Sequence, residues 1–267
     1  EKLAKLSLLK RRGLVATESG SQITARKSLE SKEFKETQFS KSAEPQIPEP
    51  TSAQQRVLEE LRVALTAPVN LPVYLLHGVT GAGKTEVYLR LIADALTMAK
   101  GSGQVLVLVP EISLTPQMTR IFTHRFPGCV AVVHSAMSDV DRWAELNRVR
   151  SGEASILIGP RSAVFGPFKN LRLLIVDEEH DSSYKQSSGL AYNGRDVAVL
   201  RGKLEKALVL LGSATPSLES YLNAKMGRYK LLEMFERATG RPLPSVEVII
   251  NEERASRRSG SLVSTKD

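Results

Sequence analysis

The stretch Gly78-Val-Thr-Gly-Ala-Gly83-Lys84-Thr85 constrains this chain more than any other. It follows the apolar run Tyr74-Leu75-Leu76 and opens a pattern with helical spacing. A strand, a glycine-rich loop and a helix in that order form a phosphate-binding loop. The glycines let successive backbone N–H groups converge on phosphate oxygens, at a helix end whose dipole favours negative charge. The residues therefore predict a nucleoside triphosphate site built from Gly78, Val79, Thr80, Gly81, Ala82, Gly83, Lys84 and Thr85. Lys84 is expected to face solvent at the helix start and to reach the β- and γ-phosphates, and the Thr85 hydroxyl to hold Mg2+.

Hydrolysis needs a second element that positions metal and water. Leu171-Arg-Leu-Leu-Ile-Val-Asp177-Glu178-Glu179-His180 supplies it. Leu173 to Val176 are continuously apolar, as in a buried parallel strand, and they deliver two carboxylates to the sheet's carboxyl edge, where doubly wound folds bind ligands. Asp177 is expected to hold the metal, usually through water. Glu178, one position on, is expected to orient the attacking water as general base.

From Thr51 the pattern alternates. Strands are predicted at Val73–Leu76, Val105–Val109, Val130–Val133, Ser155–Ile158, Leu173–Val176 and Ala207–Leu211. Helices are predicted at about 52–65, 84–98, 115–125, 139–150, 194–203 and 217–225. This is the signature of an α/β domain, a parallel sheet with helices on both faces. Four segments follow: 1–22, a basic helix with a short extended piece; 23–50, a linker rich in Ser, Lys, Glu and Gln that ends in Pro45, Pro48 and Pro50; the α/β lobe at 51–243; and a connector at 244–267, with Val246 to Ile250 readable as a strand. The polar tail at Asp267 suggests an excerpt of a longer protein.

In order, the phosphate loop, Val109-Pro-Glu-Ile-Ser-Leu-Thr-Pro-Gln117, Gly159-Pro-Arg-Ser-Ala-Val-Phe165, Asp177-Glu-Glu-His180 and Gly212-Ser-Ala-Thr-Pro216 resemble the first, RecA-like motor lobe of a superfamily 2 helicase. Three longer stretches, Val109 to Gln117, Arg161 to Asn170 and Asp177 to Gln186, are similar more narrowly to the bacterial replication-restart helicases, the PriA family. The resemblance covers most of residues 50 to 235. It implies an ATP-dependent DNA helicase at stalled forks, with single-stranded and forked DNA, other primosome proteins and single-stranded-DNA-binding protein as partners. It also implies a second lobe whose arginines complete phosphoryl transfer, a cysteine-rich zinc module beyond these residues, and a winged-helix module ending at 1–22. A different class, a non-hydrolysing ATP- and DNA-binding scaffold that recruits restart partners, stays open. An unrelated phosphate-loop kinase has no use for the Ser-Ala-Thr and Gly-Pro-Arg-Ser elements in this order.

The resemblance also assigns roles by position. Gln54, in Thr51-Ser-Ala-Gln54-Gln55, stands where such helicases place a glutamine to read adenine, whose edge offers a donor and an acceptor to one amide. His180, Ser213 and Thr215 are expected to couple the acidic strand to DNA state. For DNA, the backbone donors and hydroxyls around Ser113, Thr115 and Gln117 and the Arg161-Ser162 loop are suited to gripping phosphates without reading sequence. Tyr184, Lys185, Tyr192 and Arg195 flank a loop that resembles an aromatic-rich sensor of single strands, with the tyrosines stacking on bases. Leu190 stands where that loop often carries a tryptophan, and Ala191 and Asn193 replace larger or cationic groups.

Composition agrees with this reading. The 267 residues include 42% hydrophobic ones, enough for a core, and a net charge of +8 favours a polyanionic partner. The single cysteine, Cys129, excludes an internal disulfide or a zinc knuckle within the chain and suits a reducing cytoplasm. No apolar run approaches the ~18 residues of a membrane helix, and no signal peptide is visible, so a cytoplasmic protein is expected.

Overall fold

The computed structural model describes residues 48–66 and 73–238. The segments expected at 1–22 and 244–267, and most of that at 23–50, lie outside the described residues. In chain order the elements are α1 (Ser52–Thr66), β1 (Val73–Gly78), α2 (Lys84–Met98), β2 (Gln104–Leu108), α3 (Pro116–Arg125), β3 (Val130–Val132), α4 (Asp139–Ser151), β4 (Ile156–Gly159), β5 (Leu171–Val176), β6 (Lys185–Gln186), β7 (Tyr192–Asn193), α5 (Gly194–Glu205), β8 (Leu208–Ser213), α6 (Leu218–Lys225) and β9 (Tyr229–Met234). Short 3-10 turns follow β2, β4 and β5 at Glu111–Ser113, Arg161–Phe165 and Ser182–Tyr184.

Seven strands form one sheet in the order β3-β4-β2-β5-β8-β1-β9, every pair parallel. The sequence dictates this because its strands are apolar on both sides, and side chains in a strand alternate between faces. One face carries Tyr74, Leu76, Val107, Ile158, Ile175 and Leu210, packed against α1, α2 and Phe122 of α3. The opposite face carries Leu75, Leu108, Leu157, Val176, Val209 and Leu211, packed against Val149 of α4 and Ala198 of α5. Helices therefore cover both faces, as the alternation predicts.

Caps set the helix boundaries. Thr115, Ser138 and Ser217 each precede a helix, and each side-chain oxygen accepts an N–H from the first turn, of Met118, Asp141 and Ser220 respectively. Helices expected from 115 and 217 accordingly begin one residue later. Strand β9 was not expected. It keeps Lys230 and Glu233 exposed and buries Leu232 and Met234, charged residues being common on an edge strand, and its partner β1 is remote in sequence. Among the described residues no helix is long and apolar enough to cross a membrane.

Ile175 lies on central strand β5 with no solvent exposure, whereas Leu200 on α5 is 56% exposed. Ile175→Ala is expected to destabilise the domain by about 2–5 kcal/mol through lost contacts and a residual cavity, and Leu200→Ala by less than about 0.5 kcal/mol. Urea unfolding of both variants checks this, and equal midpoints would contradict the assigned core.

Candidate nucleotide site

The loop after β1 is tied down from two sides. Val79 N–H donates to Met234 O of β9 at 3.0 Å, and Ala238 N–H donates to Gly81 O at 3.0 Å. Gly81 and Gly83 have φ of 84° and 82°, the left-handed region that glycine enters without a Cβ penalty. At Gly83 a Cβ would also sit 2.2 Å from Gln54 Nε2. Among the described residues the backbone N–H groups of Gly81, Gly83, Lys84 and Thr85 donate to nothing. Unpaired donors converging at the start of a helix suit an anion, and so do the residues around them.

Two sequence expectations change here. Lys84 does not face solvent: it is 9% exposed, its stem packs over Gly78, and its ammonium donates to Gly78 O at 2.9 Å and lies 3.9 Å from Glu178 Oε1. Curling of the loop around the first helical turn encloses it, and the buried ammonium then needs a partner. Gln54 is buried, and its amide is engaged with protein. Nε2 donates to Ala82 O at 3.2 Å and Gly83 O at 3.4 Å, and Oε1 accepts Thr51 N–H at 2.9 Å. It thus ties α1 to the loop, and any adenine contact would share an amide already in use.

Strand register brings the acidic turn to the loop. Val176 pairs with Leu108 on one side and Leu211 on the other, while Leu76 and His77 of β1 pair with Gly212 and Ser213. Asp177 leaves the sheet with its N–H donating to Leu108 O at 2.9 Å. Burial raises the Asp177 carboxyl above its ordinary range, with the nearby Glu178 adding to this, while the Tyr88 hydroxyl, donating to Oδ1 at 2.9 Å, pulls the other way. The same burial, with the charge of Asp177, pushes the Tyr88 phenol well above its usual value. Tyr88 reaches this carboxylate because residue 212 is glycine: a Cβ there would lie 1.8 Å from the hydroxyl.

Glu178 has φ of 44°, a conformation costing about 1–2 kcal/mol in a residue with a Cβ. Anchors on both sides hold it: Glu179 N–H donates to Gly212 O, and the Tyr184 hydroxyl donates to Asp177 O at 2.7 Å. Its carboxylate is aimed between Lys84 and His180, 3.9 and 3.7 Å away. Val79, Thr80, Gly81, Gly83, Lys84, Thr85, Asp177 and Glu178 line one cleft of about 260 Å3. Among the described residues no group of three or more His, Cys, Asp or Glu could hold a metal alone. The hydroxyl of Thr85 and the carboxylate of Asp177 still suit Mg2+, which fills most of its shell with phosphate and water oxygens.

Behind this cleft the predicted coupling residues meet. His180 Nδ1 lies 2.8 Å from Ser213 Oγ, His180 Nε2 lies 3.4 Å from Thr215 Oγ1, and Thr215 N–H donates to Ser213 Oγ at 2.9 Å. Sequence reasoning missed Glu179. Its buried carboxylate accepts from Ser217 N–H at 2.7 Å, Ser217 Oγ at 3.0 Å, Ser220 Oγ at 2.8 Å and Arg195 Nη1 at 3.1 Å. A buried charge needs such partners, and this hub fastens the acidic turn to α5 and α6. Tyr88 was also missed, since it reads as ordinary core, and Gly212, which opens the Gly-Ser-Ala-Thr-Pro motif, was given no role of its own. The serines at 217 and 220, spaced for a cap, were the only signal available.

Of the residues expected to touch DNA, two are placed elsewhere. Tyr184 is 1% exposed and spends its hydroxyl on Asp177 O, so its ring has no face for a base. Arg195 is 8% exposed and committed to Glu179, Asp196 and Ser217. The apolar cluster on the second face of the sheet takes in the first, and the carboxylate of Glu179 draws in the second. The others stay near the surface: Gln117, Lys185 and Ser162 are exposed, Ser113 is half-buried, Thr115 caps α3, and Tyr192 meets Phe165 edge-on with ring centres 5.2 Å apart. Arg161 donates to Ser183 O at 2.7 Å and Lys185 O at 3.1 Å, and with Ser162, His134 and Arg142 it lines a second cleft of about 400 Å3.

The raised Asp177 value has a consequence for stability. A carboxyl whose folded pKa exceeds its unfolded one favours the fold fully below the unfolded value, and this contribution is lost as pH rises through the folded value. At pH 7 the buried carboxylate therefore costs stability, so Asp177→Asn is expected to raise Tm at pH 7. The gain should shrink to nothing as pH falls toward about 3. Thermal melts across pH check this, and a lower Tm at pH 7 would mean that the charge is fully compensated in the ligand-free protein.

A family model, DEAD/DEAH box helicase, matches residues 51–224. The chain is 43% identical over 216 residues to the Replication restart protein PriA of Bacillus subtilis, covering 81% of this chain and 26% of the relative. It is 50% identical over 166 residues to the protein of the same name from Haemophilus influenzae, covering 62% of this chain and 22% of the relative. The chain thus spans about a quarter of the length of these relatives. Among solved structures, RecG bound to a three-way DNA junction superposes with a TM-score of 0.54 at 26% identity, over 73% of this chain and 25% of that one. The DEAD-box helicase Mss116 superposes with a TM-score of 0.51 at 16% identity, over 70% of this chain and 40% of that one, a likeness of fold. With a phosphate loop, an acidic turn and a Ser-Ala-Thr turn meeting at the edge of one parallel sheet, and with the model match spanning that whole region, the chain belongs to the DEAD/DEAH box helicase family.

Proposed function

We propose that this chain is the ATP-binding lobe of a replication-restart DNA helicase, and that Lys84, Thr85, Asp177 and Glu178 form its hydrolytic site. The observation that carries the reading is their convergence on one cleft of about 260 Å3 beside unpaired loop amides. The amides of Gly81, Gly83, Lys84 and Thr85 would cradle the phosphates. Lys84 would exchange Gly78 O and Glu178 for phosphate oxygens, a short swing for a flexible stem. Thr85 and Asp177 would hold Mg2+, which when bound neutralises charge developing on the phosphates. Glu178, released by Lys84, would orient and deprotonate the attacking water.

The reading extends to partners. Single-stranded or forked DNA is the proposed polyanion, carried on Ser113, Thr115, Gln117, Arg161, Ser162, Lys185 and Tyr192, with Tyr184 and Arg195 as struts beneath. Other primosome proteins and single-stranded-DNA-binding protein are proposed partners of the whole protein, on the similarity to the curated relatives. Hydrolysis at full rate is proposed to need arginines from a second lobe, worth on the order of 10³ or more. Zinc is proposed only for a cysteine-rich module outside this chain.

Two substitutions separate binding from chemistry. Lys84→Ala is expected to weaken ATP binding at least about tenfold by titration calorimetry, since a charge-assisted phosphate contact is lost. Unchanged affinity would remove the phosphate-loop assignment. Glu178→Gln is expected to keep ATP affinity within a few-fold while lowering DNA-stimulated hydrolysis by the protein at its natural length at least about a hundredfold. Hydrolysis surviving within a few-fold would show that another group is the base.

A further inference from the structure

The chain immediately after β9 does more than end the sheet. Met234 O and Ala238 N–H bond to Val79 and Gly81, so residues 234–238 lie along the phosphate loop as a second wall. Phe235 braces this wall by meeting the His77 ring edge-on, with centres 5.1 Å apart. Arg237 sits in it, its stem crossing Gly81: a Cβ built there would lie 3.8 Å from Arg237 Cγ, 3.9 Å from Cδ and 4.0 Å from Nε.

Arg142 and Arg237 each bury an Nε without a hydrogen-bond partner, but Arg142 donates through Nη2 to His134 O at 3.1 Å. Among the described residues no carboxylate lies within ion-pair distance of the Arg237 guanidinium. Arg195 shows what this protein does with a buried guanidinium it uses structurally, namely surround it with Glu179, Asp196 and Ser217. A buried, uncompensated donor costs free energy until something pairs with it. The adjacent amides of Gly81 and Gly83 are unpaired too, and a planar guanidinium matches phosphate oxygens two at a time.

We propose that Arg237 is a nucleotide-binding residue, an arm from the segment after β9 that closes over the phosphate loop and donates to the phosphate chain of a bound nucleoside triphosphate. This rests on the nucleotide reading of the cleft. It gives β9 a purpose at the site, since the strand that props the loop also delivers a cation to it.

The test uses this chain with ATP and inorganic tripolyphosphate as probes, in titration calorimetry, and compares Arg237→Met with Arg237→Lys. Methionine keeps an apolar stem over Gly81 and removes the charge, so unliganded thermal stability should stay near that of the parent. The expected result is a loss of about tenfold or more for both ATP and tripolyphosphate in Arg237→Met, with partial recovery in Arg237→Lys. Full affinity for both ligands in Arg237→Met overturns the proposal. So does a loss confined to ATP, which would place the guanidinium on the base. Lys84→Ala, run alongside, distinguishes the two readings: if it abolishes ATP binding while Arg237→Met does not, the cleft is a nucleotide site and only the arm is wrong. A parent chain that binds neither ligand overturns both.

Discussion

Parallel pairing of β5, β8 and β1 is the constraint on which the site depends. Three strands that end side by side deliver three different turns to one edge: Asp177 to His180, Ser213 to Thr215, and the loop from Gly78. Each turn is short and poor in apolar side chains, so none would hold its shape alone. They hold because backbone groups at the strand ends pair across turns, as Asp177 N–H does with Leu108 O, Glu179 N–H with Gly212 O and Val79 N–H with Met234 O. Burial of both sheet faces fixes the register, since a slip of one residue would exchange the two apolar sets.

On this frame several buried polar groups are paired across elements. Tyr88 of α2 bonds Asp177, Gln54 of α1 bonds the loop, and Arg195 of α5 meets Glu179 beside the start of α6. Such contacts are modest in net energy, but breaking one member leaves a desolvated group behind. The arrangement therefore specifies geometry more than it adds stability. Glu178 shows the result: a left-handed residue with a side chain, kept in place by its anchored neighbours.

The resting geometry also explains how a charged site stays folded before any ligand arrives. Lys84 donates to a carbonyl at the end of β1 and lies near the charge of Glu178, and Asp177 is kept by a phenol and by a raised proton affinity. On the proposed nucleotide reading, these contacts would be exchanged for ligand contacts. The backbone of the loop is braced between α1 and the wall after β9.

Much of this was legible in the residues. The phosphate loop, the acidic strand end and the strand–helix alternation are local patterns with local physical causes: glycine's access to positive φ, uninterrupted apolar runs, and caps such as Thr115 and Ser217. The α/β class and the positions of six helices and six strands followed from them, whereas β6, β7 and β9 did not. Tertiary structure alone decided the rest. Lys84 was read as facing solvent and Gln54 as free to read a base, yet the curl of its own loop encloses the first and that loop, remote in sequence from α1, takes up the amide of the second. Tyr184 and Arg195 look like nucleic-acid contacts in any linear reading, but a carbonyl at residue 177 and a carboxylate at residue 179 claim them. The roles of Glu179, Tyr88, Gly212 and Arg237 could not be read locally, even where a motif contains the residue, because what each one does depends on an atom brought to it by the fold. A sequence states which groups need partners, and only the packed chain decides which partner each one gets.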